Sequence, residues 1–151
     1  MATVLSAGLA GYAGLRQLLY ADASVLALVG SKIYQERAPN GVEMPYAVIR
    51  HYTGGEDNDA QSRAADMMFR VYIVTDDVTI AAKYQALVSN ALHRKTPDFT
   101  AVNADAANDM AIKAYTWVTE EYVDVVPYPI QQRTVYEAGG VYRIRLSIIE
   151  V

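Results

Sequence analysis

The sequence predicts an α+β fold: a mainly antiparallel mixed sheet of about five strands packed on one long helix, with two short N-terminal helices. Three observations predict it. The chain has 151 residues, 52% of them apolar and 20% charged, which is enough for one domain with its own core. A strand-like run at Met67–Thr75, apolar on both faces, is followed at once by a helical stripe ending near Arg94. The remaining β-like runs are separated by Gly, Pro and Asn turn signals, in the order α-α-β-β-β-α-β-β. That order collects helices on one side of a sheet. One domain, 1–151, is expected, with flexible loops at about 53–66 and 96–111.

Leu9 to Tyr20 reads as a short helix, with Tyr12, Leu15, Leu18 and Leu19 on one face. The apolar residues before it lack a basic leader, and Arg16 interrupts them, so the N-terminus reads as a loose leader to a helix. A signal peptide or membrane anchor would look different. Asp22 or Ser24 can cap a second short helix carrying Val25, Leu28 and Val29, ended by Gly30. Lys32 to Tyr34 is a brief strand. Pro39-Asn40-Gly41 then makes a turn, because proline presets φ and Asn-Gly tolerates positive φ. Pro45 cannot donate to a ladder and so opens the strand Tyr46–Tyr52.

Thr53 to Asp66 has no periodicity, carries acidic residues from Glu56 to Asp59, and reads as a mobile loop. Met67 to Thr75 is a strand with Phe69, Val71 and Ile73 on one face, apolar enough on both faces to be central. The long helix follows, capped by Asp76 or Asp77, with Ile80, Tyr84, Leu87, Val88 and Ala91 as its buried stripe. Thr96 to Met110 reads as a hairpin or surface insertion. "AIKAYTWVTEEYVDVVPY" forms one bent strand or two, ended by Pro127 and Pro129. "QQRTVYEAGG" leads back to the last strand, "VYRIRLSIIEV". There Tyr142, Ile144, Leu146 and Ile148 point one way, and Arg143, Arg145, Ser147 and Glu150 the other.

Chemistry is hard to find. A formal net charge of −4 disfavours a general phosphate-binding surface. The chain contains no cysteine, which excludes disulfides, cysteine-based zinc sites and thiol nucleophiles. His51 and His93 are far apart and show no metal-ligand spacing. There is no G-x-S-x-G elbow and no phosphate loop, and the glycines of "GLAGYAG" and "TGGED" read as flexible backbone. The carboxylate pairs Asp57/Asp59, Asp76/Asp77 and Glu120/Glu121 read as a polar loop, a helix cap and opposite faces of a strand. Arg143 and Arg145, with Arg70 nearby, read as a salt-bridged solvent face rather than a cationic row. No catalytic residue, metal or cofactor is expected. Tyrosine is abundant, 12 against 2 phenylalanines, which suits either a sheet with one wet face or a subunit interface.

The stretch Leu15 to Ile49 resembles the tail-completion, or tail-terminator, proteins of long-tailed bacteriophages. Those proteins begin with a helix, then an Asp-x-x-Val-x-x-Leu-Val-Gly segment, an Ile-Tyr strand, an Ala-Pro corner and a Pro-Tyr strand opening. Here the matching residues are Asp22, Val25, Leu28, Val29, Gly30, Ile33, Tyr34, Ala38, Pro39, Pro45 and Tyr46. The strand–helix unit "FRVYIVTDDVTIAAKYQALVSNAL" and a last strand carrying arginines also look like the family. The resemblance implies a non-enzymatic virion protein, assembled in the host cytoplasm. It implies a homo-oligomeric ring, usually a hexamer, that caps the tail tube and presents it to the neck of the head. Its partners would be itself, the tail-tube protein and a head-closure or connector protein. DNA would pass through the lumen without specific binding, and no membrane is involved. A compact chain of this length is roughly 38 Å across, and six in a ring leave a hole of similar width. Candidate interface residues are Arg37, Pro39, Asn40, Tyr46, Tyr52, Arg143 and Arg145. Glu56, Asp57 and Asp59 are the candidate lumen-facing acidic loop. The alternatives are another head–tail connector, a tail-tube protein or, last, a small-molecule enzyme.

Overall fold

The computed structural model describes residues 7–58, 63–99, 110–114, 118–130 and 133–150. Helices α1 (Ala7–Ala21) and α2 (Ala23–Val29) lead to strand β1 (Ile33–Gln35). Strands β2 (Tyr46–Asn58) and β3 (Arg63–Thr75) precede helix α3 (Val78–Leu92). Strands β4 (Met110–Ala114), β5 (Thr119–Ile130) and β6 (Arg133–Glu150) complete the order. One mixed sheet runs β1-β2-β3-β6-β4, and β5 also pairs with β6. Only the β1–β2 pairing is parallel, so the α+β class holds. β3 is interior, as its two apolar faces predict.

The helices pack on one face of the sheet. Leu15, Leu19, Val25 and Val29 meet Ile49, Phe69, Val71, Ile73, Tyr142, Ile144 and Leu146 there, together with Val88 and Leu92 of α3. Fully burying one such aliphatic side chain stabilises the fold by about 1.5–3 kcal/mol. α1 is a full 15 residues, the same length as α3, so the expectation of a short first helix and a single long one is corrected. "GLAGYAG" is close packing rather than slack backbone. A Cβ on Gly11 would come within 2.7 Å of the Phe69 ring, and one on Gly14 within 2.8 Å of Phe99. Phe99 is itself buried, so residues 97–99 are anchored beneath α1, and the Asp98 N–H donates to Gln17 Oε1 at 3.0 Å. The rest of the proposed insertion, 100–109, lies outside the described residues.

Caps form where the sequence places them. Asp22 Oδ1 accepts the N–H groups of Ser24 and Val25, both at 3.0 Å. Asp77 Oδ1 accepts the Thr79 N–H at 2.9 Å and the Thr79 hydroxyl at 2.7 Å, which holds its carboxyl below the usual carboxylate range.

Three strand boundaries differ from expectation. β2 continues through Thr53 to Asn58 and β3 starts at Arg63, so most of the supposed loop at 53–66 is paired ladder. A bulge between His51 and Thr53 breaks the alternation that would have revealed it. Pro127 and Pro129 do not end β5; they pair with Tyr136 and Thr134. β5 has no partner beyond β6 among the described residues, and an edge tolerates missing donors. "QQRTVYEAGG" is not a return loop, because Arg133–Gly140 is already β6. A side chain at Gly139 would collide with the Val71 carbonyl, and one at Gly140 with the Tyr122 carbonyl. These glycines are compressed between neighbouring strands and do not mark a turn.

Candidate interaction surface

Among the described residues, no layer of secondary structure covers the sheet face away from the helices. Its strand residues follow from register: Tyr46, Val48, Arg50 and Tyr52 in β2; Met68, Arg70, Tyr72 and Val74 in β3. β6 adds Val135, Glu137, Val141, Arg143 and Arg145, and β5 adds Tyr122, Asp124 and Tyr128. At one end Val48, Tyr72, Val74 and Val135 form a second, small core, onto which Met44 and Tyr46 pack.

The corner between β1 and β2 supplies that cover. Its start is pinned to β2 in three ways. The Glu36 N–H donates to the Ile49 carbonyl at 2.9 Å, the Glu36 carbonyl accepts from Arg50 Nε at 3.3 Å, and Glu36 Oε1 accepts the His51 N–H at 3.0 Å. Glu36 pays for this with φ 66°, unusual for a residue with a side chain. At the far end Lys32 Nζ donates to the Glu43 carbonyl at 3.0 Å, and Met44 and Tyr46 sink into the small core. Between these anchors residues 38–42 arch over a cleft of about 480 Å³, whose other walls are Met44, Tyr46, Val74, Val135 and Arg133.

The middle of the face is a closed polar network. The Arg70 guanidinium bonds Glu137 through Nη1 and Asp124 through Nη2, the latter at 3.2 Å, and lies 4.6 Å from the centre of the Tyr72 ring. Burial, then the Glu137 carboxylate, push the Tyr72 hydroxyl up to about 12. Beside the network the exposed Tyr52 and Tyr122 are neighbours. At the far end Arg143 Nε lies 3.4 Å from Asp66 and 3.6 Å from Glu121, while Arg145 Nε lies 3.6 Å from the same Asp66. The Arg143 contacts are ion-pair distances without hydrogen-bond geometry, so its buried Nε–H has no acceptor among the described residues.

Of the predicted interface residues, Pro39, Asn40 and Tyr46 therefore meet in one cleft, with exposed Arg37 at the start of its arch. Tyr52, Arg143 and Arg145 share the same sheet face further along. Arg70 is not part of a cationic row with the last two; its charge is spent on Asp124 and Glu137. The salt-bridged reading of Arg143 and Arg145 holds. Glu56 and Asp57 fall in β2, opposite Ala65 and Ala64, and not in a loop; Asp59 lies outside the described residues. His51 stacks edge-on to Phe69 and His93 Nδ1 accepts the Glu120 N–H at 3.2 Å. Glu120 turns inward, where its Oε2 accepts the Tyr142 hydroxyl at 3.2 Å. Burial and this carboxylate raise the Tyr142 pKa strongly. Among the described residues no group of three or more potential ligands could hold a metal ion, and no helix is long and apolar enough to cross a membrane.

Sequence reasoning missed Val42, Met44, Val74, Arg133 and Val135 as cleft residues, and Tyr122 as the neighbour of Tyr52. The alternation Tyr122, Asp124, Val126, Tyr128 was a usable signal, hidden by treating Pro127 as a terminator.

The profile of the family described as tail completion protein gp17 matches residues 13–120. The chain belongs to this tail completion family. That makes it a phage tail structural protein. Among solved structures, a chain of the virion of a native gene transfer agent particle is similar, with a TM-score of 0.63 and 19% identity. The match covers 97% of this chain and 100% of that one, and at such identity it shows a shared fold. A search of curated proteins finds no match.

Proposed function

We propose that this tail completion protein forms a ring, a hexamer, that caps the finished tail tube, stops its polymerisation and joins the tail to the neck of the head. The observation that carries the reading is the helix-free sheet face, in a chain whose family completes tails. A monomer would gain nothing from leaving Tyr52, Tyr122 and Tyr128 on that side about half exposed. A cyclic ring needs heterologous contacts, one patch meeting a different patch. Tyr52, Arg143 and Arg145 are the proposed subunit patch, and the corner from Arg37 through Pro39 and Asn40 to Tyr46 is the proposed contact with a partner protein. One ring face would dock on the last tube ring and the other would lack that docking surface, so growth stops.

Glu56, Asp57 and Asp59 are proposed to face the lumen and repel passing DNA. Neutralising all three should slow DNA ejection or alter genome retention; unchanged ejection and retention would remove that role. The ring itself is tested by light scattering on the purified protein and electron microscopy with the tube protein. Discrete rings on tube ends are expected. A lasting monomer that leaves tube length uncontrolled would sink the reading, and filaments of the protein alone would favour a tube subunit.

A further inference from the structure

The cleft under the corner has a chemistry of its own. Its walls mix the apolar side chains of Val42, Met44, Tyr46, Val74 and Val135, with Pro39 in the arch, and the polar ones of Asn40 and Arg133. Arg133 is the one charged side chain lining it, stands exposed, and has no hydrogen bond or ion pair among the described residues. An apolar floor with one free guanidinium selects an apolar side chain next to a carboxylate. We infer that the cleft receives an extended segment of a different virion protein, carrying an apolar residue beside an acidic one. This rests on the reading of the chain as a tail joint.

Among the described residues, a second copy offers a poorer fit. On the described surface, the exposed large apolar residues flanked by a carboxylate are Val78, Tyr122 and Val123. Their neighbouring carboxylates are already engaged: Asp77 by Thr79, Glu121 beside Arg143, and Asp124 by Arg70. None can be offered to Arg133 without breaking a contact in its own chain. The arch is also fixed at both ends before any partner arrives, by Glu36 on β2 and by Met44 on the small core. Such a site loses little ordering entropy on binding.

The test uses methyl NMR of the full-length protein with labelled valine and methionine. The probes are capped hexapeptides bearing one leucine beside one aspartate, and the same peptides with asparagine instead. Saturable shifts at Val42, Met44, Val74 and Val135 are expected with the aspartate peptide. The asparagine peptide should bind about two- to five-fold more weakly, the worth of an exposed ion pair. Arg133→Gln should erase that difference while leaving the fold intact, and Val42→Glu should abolish both shifts. Equal binding of the two peptides, shifts elsewhere, or no saturable shift would overturn the inference. Concentration-dependent shifts at the same methyls without peptide would assign the cleft to a second copy and also overturn it. Peptide binding as expected by a protein that never caps tubes would remove the proposed function and leave the cleft; rings without peptide binding would do the reverse.

Discussion

The two faces of the sheet are built from the same alternating strands and do different work. The helix-covered face holds one continuous core, from Ala10 and Leu15 through Phe69 to Leu146, without a charged member. The opposite face holds a core of only four buried residues, an arginine satisfied by two carboxylates, and half-exposed tyrosines. The first face resolves its desolvation entirely within the chain. The second keeps apolar area and hydrogen-bonding groups at the surface, stiffened by ion pairs but not covered. The pleat thus separates a closed core from the surface proposed for recognition: adjacent residues such as Val71 and Tyr72 serve different faces.

Substitutions that weigh the two faces against each other sharpen this division. The largest loss is expected on the covered face. Leu19→Ala removes a fully buried side chain and should cost about 2–5 kcal/mol in urea unfolding. Next comes the polar network. Arg70→Met leaves Glu137 and Asp124 facing each other on a partly buried surface and should cost about 2–3 kcal/mol. Replacing Glu137 by Gln in the same chain should recover part of that, and a purely additive double mutant would show that the network is not coupled.

Tyr72→Phe removes a buried hydroxyl beside Glu137 and is expected to cost about 1 kcal/mol at neutral pH. Its pH signature is more telling. The Tyr72 hydroxyl has its pKa raised in the folded state, so its contribution is full below pH 10 and is lost as pH rises toward about 12. Tyr142 acts in the same direction. Stability should therefore fall between pH 10 and 12, and less steeply in Tyr72→Phe; identical slopes would mean that Tyr72 is not shielded. Tyr52→Ser with Tyr122→Ser should have the smallest effect on unfolding, within about 0.5 kcal/mol, because both rings are exposed. Oligomer formation should weaken all the same, and unchanged assembly by light scattering would show that these tyrosines do not sit at a subunit contact.

Much of the covered face was legible in the sequence. Phe69, Val71 and Ile73 at period two, and Tyr84, Val88 and Ala91 at helical spacing, mark their burial directly. Asp22 and Asp77 announce the helix starts. Illegibility began where a local signal had two meanings. The bulge at His51 to Thr53 hid the rest of β2, and Pro127 reads as a terminator unless β5 is known to be an edge. Gly139 and Gly140 read as a turn unless β3 and β5 are known to crowd them.

The open face was less legible, and for one reason. Arg70 finds its partners 54 and 67 positions away, and Val135 finds the corner nearly a hundred positions back. The sequence alone determined the class of fold, the order of its elements as far as α3, the helix caps and the corner at Pro39 to Pro45, because each follows from φ preference and hydrophobic period over a few residues. Only tertiary structure decided which strand is an edge, which face stays uncovered and that the corner arches over a cleft. Those outcomes depend on β6 pairing with β3, β4 and β5 at once, and distant pairings leave no local period to read.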